Sequence, residues 1–218
     1  PHLQHFMLCT SILPDMTAEL CNELLEIQDA QTHIEELVRR DLFVTQIGAS
    51  FRYHDLFAEF LRSRLADDPA ERRPITMRAA QLLAERGRYE HAVPLFLDVE
   101  AWDAAAAVLE TRGRYFYDTG RALTLNDWLS RMPEAELQRH PRLLLWWARI
   151  LSDDLSDPGL AMVFAQQAEQ HFRNLDDACG AAEAMVLQAV ALRMMGRASE
   201  SLTLAIKAVE QMEPLEPD

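Results

Sequence analysis

Strong helix formers fill most of the chain, and short breaks divide them into segments of similar length. Alanine, leucine, glutamate, glutamine and arginine dominate these segments, and glycine occurs only seven times in 218 residues. Alanine and straight-chain residues lose little conformational freedom in a helix, whereas runs of strand-favouring residues are scarce here. Nearly half of the residues are hydrophobic, which is enough to bury a core. The sequence therefore predicts a mainly α fold.

The first part of the chain differs from the rest because it contains two short strand-like segments. Apolar residues at helical spacing predict helices before them, the last over residues 31–40 with Ile34, Leu37 and Val38 facing inward. Residues 42–47 and 51–53 carry strand-favouring side chains on either side of a Gly-Ala-Ser turn. Three helices and a small hairpin predict a winged-helix-like domain over residues 1–66.

A further helix begins at Asp55 and ends this domain. Its apolar residues recur at the spacing of an amphipathic helix. The predicted buried stripe consists of Leu56, Phe57, Phe60, Leu61 and Leu65.

The remaining chain is predicted to form helices separated by Gly-Arg turns at Gly87, Gly113 and Gly196. The spacing from Gly159 to Gly196 is close to one tetratricopeptide repeat of ~34 residues, and small residues and Pro214 occupy compatible places near the end. We therefore expect a helical arm over residues 70–135 and tetratricopeptide-like (TPR-like) repeats over 136–218. The expected fold is a small winged-helix domain followed by a TPR-like superhelix of antiparallel helical hairpins.

Charge and hydropathy restrict the partners of the chain. The formal net charge is −14 at pH 7, and Lys207 is the single lysine, so we expect no direct nucleic-acid binding. No apolar run approaches the ~18 residues that a membrane helix requires, so no membrane contact is expected. The three cysteines form no CxxC pair and are expected to be small buried free thiols in a reducing compartment, the cytoplasm. The chain starts without an initiator methionine, and we expect it to be part of a longer protein.

Motifs of catalysis and metal binding are missing from the sequence. It contains no GxxxxGK[ST] phosphate loop, no GxSxG elbow and no HExxH zinc helix. His2 and His5 have HxxH spacing, but no acidic or cysteine partner completes a ligand set near them in the sequence, so a surface pair is expected. We expect no catalytic residue, no metal site and no enzymatic activity.

Aromatic residues of the middle of the chain allow two interpretations. They either line a groove for a ligand or partner, or form core between helical hairpins. The candidate residues are Tyr115, Tyr117, Trp128, Trp146 and Trp147.

One segment, FRYHDLFAEFLRSRL from Phe51 to Leu65, carries a family resemblance. It resembles the end of the winged-helix region in large ATP-dependent, MalT-like transcriptional regulators with LuxR-type DNA-binding ends. TSIL, MTAELCNEL and ELVRRDLFV before it are similar to the same region. PITMRAAQLLAERGRYEHAVPLFLDVEAWDAAAAVLE resembles the helical arm of these proteins, and TLNDWLSRMPEAELQRHPRLLLWWARILS resembles the entry into their TPR-like sensor. The resemblance covers essentially the whole chain.

The resemblance implies a role for His54. Related STAND and NB-ARC signalling ATPases carry a Met-His-Asp motif whose histidine contacts the β-phosphate of ADP, and Tyr53-His54-Asp55 aligns with it. His54 would then sense ADP or ATP bound by an upstream domain that lies outside this chain. The alternative is that His54 caps or packs at the strand-to-helix turn.

The resemblance also implies a regulatory rather than catalytic function. The chain would couple the sensor region, with its small-molecule inducer or protein partner, to the nucleotide-binding switch. Its partners would be the upstream nucleotide-binding domain and the downstream sensor repeats of the parent protein. The alternative function is a stand-alone TPR-like adaptor for protein–protein interaction.

Overall fold

The computed structural model describes residues 2–212 and divides the chain into two compact units, Pro1–Ala101 and Trp102–Asp218. Helices dominate both units, as the composition predicted, and no helix in the described range is long and apolar enough to cross a membrane. The predicted three-part division at residues 66–70 and 135–136 stays a prediction.

The first unit begins with a winged helix, which confirms the predicted element order. Its elements are α1 (His2–Thr10), α2 (Ala18–Leu25), α3 (Ala30–Arg39), β1 (Val44–Ile47), β2 (Ser50–Tyr53) and α4 (Asp55–Ala66). The strands pair antiparallel, with Val44 opposite Tyr53. Met16 and Phe51 exchange two backbone hydrogen bonds of 2.7 and 2.8 Å, which attaches the α1–α2 loop to the outer edge of β2.

The hairpin is fastened to the helices by a buried polar contact and an apolar core. The Tyr53 hydroxyl lies 3.0 Å from the Thr10 hydroxyl, and both residues are buried. The surrounding core consists of Phe6, Leu20, Leu24, Ile34, Leu37 and Leu65.

Helix α4 corrects the predicted buried stripe. Leu56 and Phe60 are 72% and 51% exposed, while Ala58, Leu61 and Leu65 face the core and Phe57 is half-buried. Ala58, Leu61 and Leu65, at positions i, i+3 and i+7, face the neighbouring helices. Leu56 and Phe60 lie on the other side of α4 and therefore point outward. Val38, which was also predicted to face inward, is 48% exposed.

A helical hairpin completes the first unit, with α5 (Pro69–Glu85) and α6 (Tyr89–Asp98). Asp68 caps α5 by accepting a hydrogen bond from the Glu71 backbone N–H at 3.2 Å. Gly87 lies in the turn between the two helices with φ +71°, as its Gly-Arg context predicted.

The second unit is entirely helical over its described residues. Its helices are α7 (Trp102–Asp118), α8 (Ala122–Ser130), α9 (Glu134–Leu137), α10 (Pro141–Asp153), α11 (Pro158–Asn174), α12 (Ala178–Met194) and α13 (Ala198–Met212). Helices α10 to α13 each pack against the next and are joined by connections of three or four residues, which makes successive helices antiparallel. Small residues, including Ala165, Ala168, Ala181 and Ala184, are buried between them. The winged helix followed by a helical segment is confirmed, whereas the TPR-like character of the repeats stays a prediction, and Pro214 lies outside the described residues.

One of the three predicted Gly-Arg turns is wrong. Gly196 lies in a turn with φ +78°, but Gly113 lies inside α7, where the Trp146 ring covers it. The chain turns instead at Gly120, with φ +77°. Gly113 is present because of close packing, which the local sequence does not distinguish from a turn.

Candidate functional site

His54 lies between β2 and α4, and its backbone is fixed while its imidazole is exposed. Its N–H donates to the Phe43 carbonyl at 2.7 Å, and its own carbonyl accepts from the N–H groups of Phe57 and Ala58 at 2.9 Å. It occupies the N-cap position of α4, yet its side chain makes no capping hydrogen bond. The next residue, Asp55, pairs with Arg52 at 2.9 Å. The imidazole is therefore positioned by the backbone and available to a partner.

Exposed apolar side chains surround His54. We call this surface the winged-helix patch; it consists of Phe43, His54, Leu56, Phe57 and Phe60, which line an open cavity of about 490 Å³. The Phe43 ring is 62% exposed and lies 5.2 Å from the Phe57 ring. Phe43 also has φ +53°, a left-handed conformation that is strained for an aromatic residue. Strain of this kind persists where the surrounding structure holds the residue in place, and here it presents the Phe43 ring at the surface beside His54.

The predicted aromatic groove is only partly assembled in the structure. Trp128 is buried and meets Phe116 edge-on, with 5.0 Å between ring centroids. Trp147 is half-buried, stacks on Phe164 at 4.4 Å and donates a hydrogen bond to Asn126 at 2.9 Å. These two tryptophans pack between helices of the second unit.

Tyr117 and Trp146 do come together, with ring centroids 5.9 Å apart, whereas Tyr115 is 52% exposed and stands beside Phe116. The Arg149 guanidinium lies over both rings, 6.0 Å from Tyr117 and 5.6 Å from Trp146. The Tyr117 hydroxyl donates to Asp153 at 2.6 Å, and burial together with the Asp153 carboxylate raises the pKa of Tyr117. Two of the five candidate aromatics thus share one surface.

A cavity of about 360 Å³ opens next to Trp146. Charged side chains dominate its lining: Glu110, Arg114, Asp118, Arg142, Arg149 and Glu183. Three guanidinium groups face three carboxylates, so the charges balance and favour neither an anionic nor a cationic ligand. The Trp146 indole and the Arg149 guanidinium that lies over it form the flat wall of this cavity.

A second polar cluster was missed by sequence reasoning. The His5 Nδ1 atom lies 2.9 Å from Glu71 Oε1, and the Cys9 Sγ atom lies 3.7 Å from the same oxygen. The expectation that no acidic or cysteine group joins the N-terminal histidines is therefore wrong for His5, while His2 takes no part in this cluster. The i, i+4 spacing of His5 and Cys9 was the available signal, but Glu71 is brought in only by the packing of α5.

Comparisons with known proteins agree with the winged-helix geometry. Residues 1–73 match the family described as the MalT winged helix domain. This part of the chain is therefore similar to the winged helix of MalT-type regulators. Over 217 residues the chain is 26% identical to the HTH-type transcriptional regulator MalT of Vibrio campbellii, which covers 97% of this chain.

The chain spans only about a quarter of the length of that relative, since 24% of the regulator is matched. No solved structure matches the chain. The similarity is therefore to part of a transcriptional regulator and includes its winged helix. Binding partners and activities of the rest of such a regulator are only proposed for this chain.

Proposed function

We propose that this chain is a non-catalytic relay segment of a MalT-like transcriptional regulator, coupling a sensor region to a nucleotide-binding domain outside the chain. The observation that carries the proposal is the match of residues 1–73 to the MalT winged helix, within a similarity that extends over 97% of the chain. Such a segment would act in the cytoplasm, where transcription is regulated. It would transmit a change of state through rigid helices rather than through chemistry of its own.

His54 is the proposed contact with nucleotide. An imidazole N–H can donate a hydrogen bond to a phosphate oxygen, and this contact is lost when the nucleotide changes its pose. The exposed ring and its fixed backbone support this role, because no partner within the described residues has to be displaced. ADP or ATP would be held by the upstream domain.

The winged-helix patch is the proposed contact surface for that domain. It joins the apolar rings of Phe43, Phe57 and Phe60 to the imidazole in one continuous surface. Clustered exposed aromatic side chains are unfavourable in water and are typical of interfaces. Docking there would place His54 at the edge of the nucleotide site.

At the other end of the chain, α13 carries an exposed apolar stripe. Leu202, Ile206 and Val209 are 64%, 49% and 56% exposed and recur at i, i+4 and i+7 on one helix face. The downstream sensor repeats would cover this stripe in the parent protein, as each helix of the second unit covers its neighbour. An inducer would act on those repeats.

The role of His54 is tested in the longer regulator that contains the nucleotide-binding domain. His54→Ala removes a hydrogen bond to a charged group, and we expect ADP to dissociate at least about tenfold faster than from the wild type. His2→Ala, which removes another exposed imidazole, should leave the ADP off-rate unchanged. Equal off-rates for His54→Ala and wild type, measured with a fluorescent ADP analogue, would remove His54 from the proposal.

The location of the nucleotide site is tested with the 218-residue chain alone. We expect isothermal titration with ADP to show no binding, because the phosphate loop is missing from the sequence. Micromolar affinity in this titration would contradict the relay function.

The docking surface is tested by co-purification of this chain with the separately expressed nucleotide-binding domain. Leu56→Gln and Phe60→Gln should abolish co-purification without lowering the free energy of unfolding, since both side chains are already exposed. Val38→Gln, another exposed apolar position outside the patch, is the matched control. If all three variants co-purify like the wild type, the patch is not the interface.

A further inference from the structure

The contact between α1 and α5 brings together one nitrogen, one sulfur and one oxygen donor. His5 and Cys9 are four residues apart on α1 and therefore share a face of that helix. Glu71 lies in the first turn of α5 and approaches the same face. The ligand atoms of the three side chains all lie within 4.8 Å of one another.

These separations fit the edges of a tetrahedral zinc site. Zinc bonds of ~2.3 Å to sulfur and ~2.0 to 2.1 Å to nitrogen and oxygen imply distances of about 3.3 to 3.6 Å between ligand atoms. The Cys9 Sγ atom lies 3.9 Å from His5 Nδ1 and 3.7 Å from Glu71 Oε1. The His5 Nδ1 to Glu71 Oε1 distance is 2.9 Å, and a bound cation would widen it by a few tenths of an ångström.

The surroundings also suit a bound ion. Cys9 is 1% exposed, so its sulfur forms the floor of the site, whereas the His5 and Glu71 side chains are 57% and 34% exposed at its rim. The three side chains lie on the wall of a cavity of about 700 Å³, which provides an entry path and room for a fourth ligand such as water. The Glu71 backbone is held in place by its hydrogen bond to the Asp68 cap.

We propose that His5, Cys9 and Glu71 bind one zinc ion that joins the first helix of the winged helix to α5. A mixed set of thiolate, imidazole and carboxylate donors favours zinc, whereas magnesium and calcium require oxygen ligands. On coordination the Cys9 thiol releases its proton to solvent, and the ion replaces the direct contact between His5 and Glu71. The ion links residues more than sixty positions apart in the chain, and it therefore stiffens the junction between the winged helix and the following hairpin.

The test uses the untagged 218-residue chain after removal of metal with a chelator. Zinc titration against a colorimetric indicator should give one zinc per chain, and cobalt should give the absorption of a thiolate-bound tetrahedral ion. Cys9→Ser and Glu71→Gln should each weaken zinc binding by at least about tenfold, because even the groups behind metal ligands contribute that much. Zinc should raise the melting temperature of the wild type and leave that of Glu71→Gln unchanged.

Two matched variants separate this site from non-specific binding. His2→Gln removes a neighbouring exposed imidazole, and Cys179→Ser removes an exposed thiol in the other unit. Both should bind one zinc like the wild type. The proposal is overturned if the wild type binds no zinc, if Glu71→Gln binds it as tightly as the wild type, or if His2→Gln loses as much affinity as Glu71→Gln. Circular dichroism confirms that each variant is folded, and Glu71→Gln decides the outcome if Cys9→Ser does not fold.

Discussion

Gly180 in α12 lies directly beneath the buried ring of Phe172. A Cβ atom at this position would lie 2.7 Å from Cγ of that ring, which is closer than carbon atoms approach in folded proteins. The ring is 2% exposed and has little room to move. We expect Gly180→Ala to lower the free energy of unfolding by about 1 to 3 kcal/mol, as overpacking does in other cores.

Gly159, in the first turn of α11, is the matched control for this prediction. A Cβ there would meet nothing closer than 3.6 Å, so Gly159→Ala should leave stability unchanged or raise it by up to about 1 kcal/mol. Urea unfolding of the two variants and the wild type measures both effects. Equal stability of Gly180→Ala and wild type would show that the Phe172 ring is free to shift.

Cys21 should make stability depend on pH in the alkaline range. Burial raises the pKa of its thiol to about 12, and the charge of Asp15 adds to the rise. In the unfolded chain the thiol ionises near pH ~8.5. Above that pH the unfolded state has lost a proton that the folded state keeps, so the free energy of unfolding falls as the pH rises towards 12.

This effect is isolated by comparing wild type with Cys21→Ala. Between about pH 9 and about pH 11 the free energy of unfolding should fall more steeply for the wild type, because the variant lacks the titrating group. Urea unfolding at several pH values gives the two slopes. Parallel slopes would mean that the thiol ionises as easily in the folded chain as in the unfolded one.

Within the first unit, arginine side chains attach the α5–α6 hairpin to the winged helix. Arg88, at the start of α6, donates two hydrogen bonds to the Asp15 carboxylate at 2.9 and 2.6 Å. Arg86 and Arg78 each pair through a single nitrogen–oxygen contact with an acidic residue at the α2 end. Because both side chains of the Arg88–Asp15 pair are only 29% exposed, this contact is screened less than a surface ion pair.

We expect Arg88→Gln to lower the free energy of unfolding by about 1 to 2 kcal/mol, since it removes a bidentate charged contact. Added salt should reduce the difference from wild type. Arg114→Gln is the control, because Arg114 is 84% exposed and its pairing with Asp118 within α7 is expected to contribute less than about 0.5 kcal/mol. Thermal unfolding at low and high salt measures both variants, and an equal small effect of the two would show that the contact at Asp15 adds nothing to stability.

For the whole molecule, acidic residues outnumber basic residues by 35 to 21. This excess of negative charge predicts that the chain does not bind DNA. Binding of duplex DNA depends on clustered Lys and Arg that displace counterions from phosphates. At physiological salt we expect no change in fluorescence anisotropy of a labelled duplex on addition of micromolar chain. Saturable binding would show that the winged helix reads DNA despite its acidic surroundings.

The helices and the hairpin, which depend on residues close together in the sequence, were predicted correctly. Helix propensity and apolar spacing predicted the mainly α fold, and the strand-favouring residues around Gly48 predicted the hairpin. The segment around Tyr53-His54-Asp55 carried the resemblance to MalT-like regulators, because a motif is read from residue order alone, and residues 1–73 match the MalT winged helix domain. It also located His54, whose role as a phosphate sensor stays a proposal.

Only the tertiary structure decided which side chains meet across the chain. It turned Leu56 and Phe60 outward beside His54, because the neighbours of α4 pack against Ala58 and Leu61. It placed Gly113 under Trp146 rather than in a turn, and it brought Glu71 to His5 and Cys9 from a different helix. Helix formation is governed by local interactions, so the sequence determined the elements; which helix face becomes buried depends on partners distant in sequence, so packing alone fixed the exposed patch and the three-donor cluster.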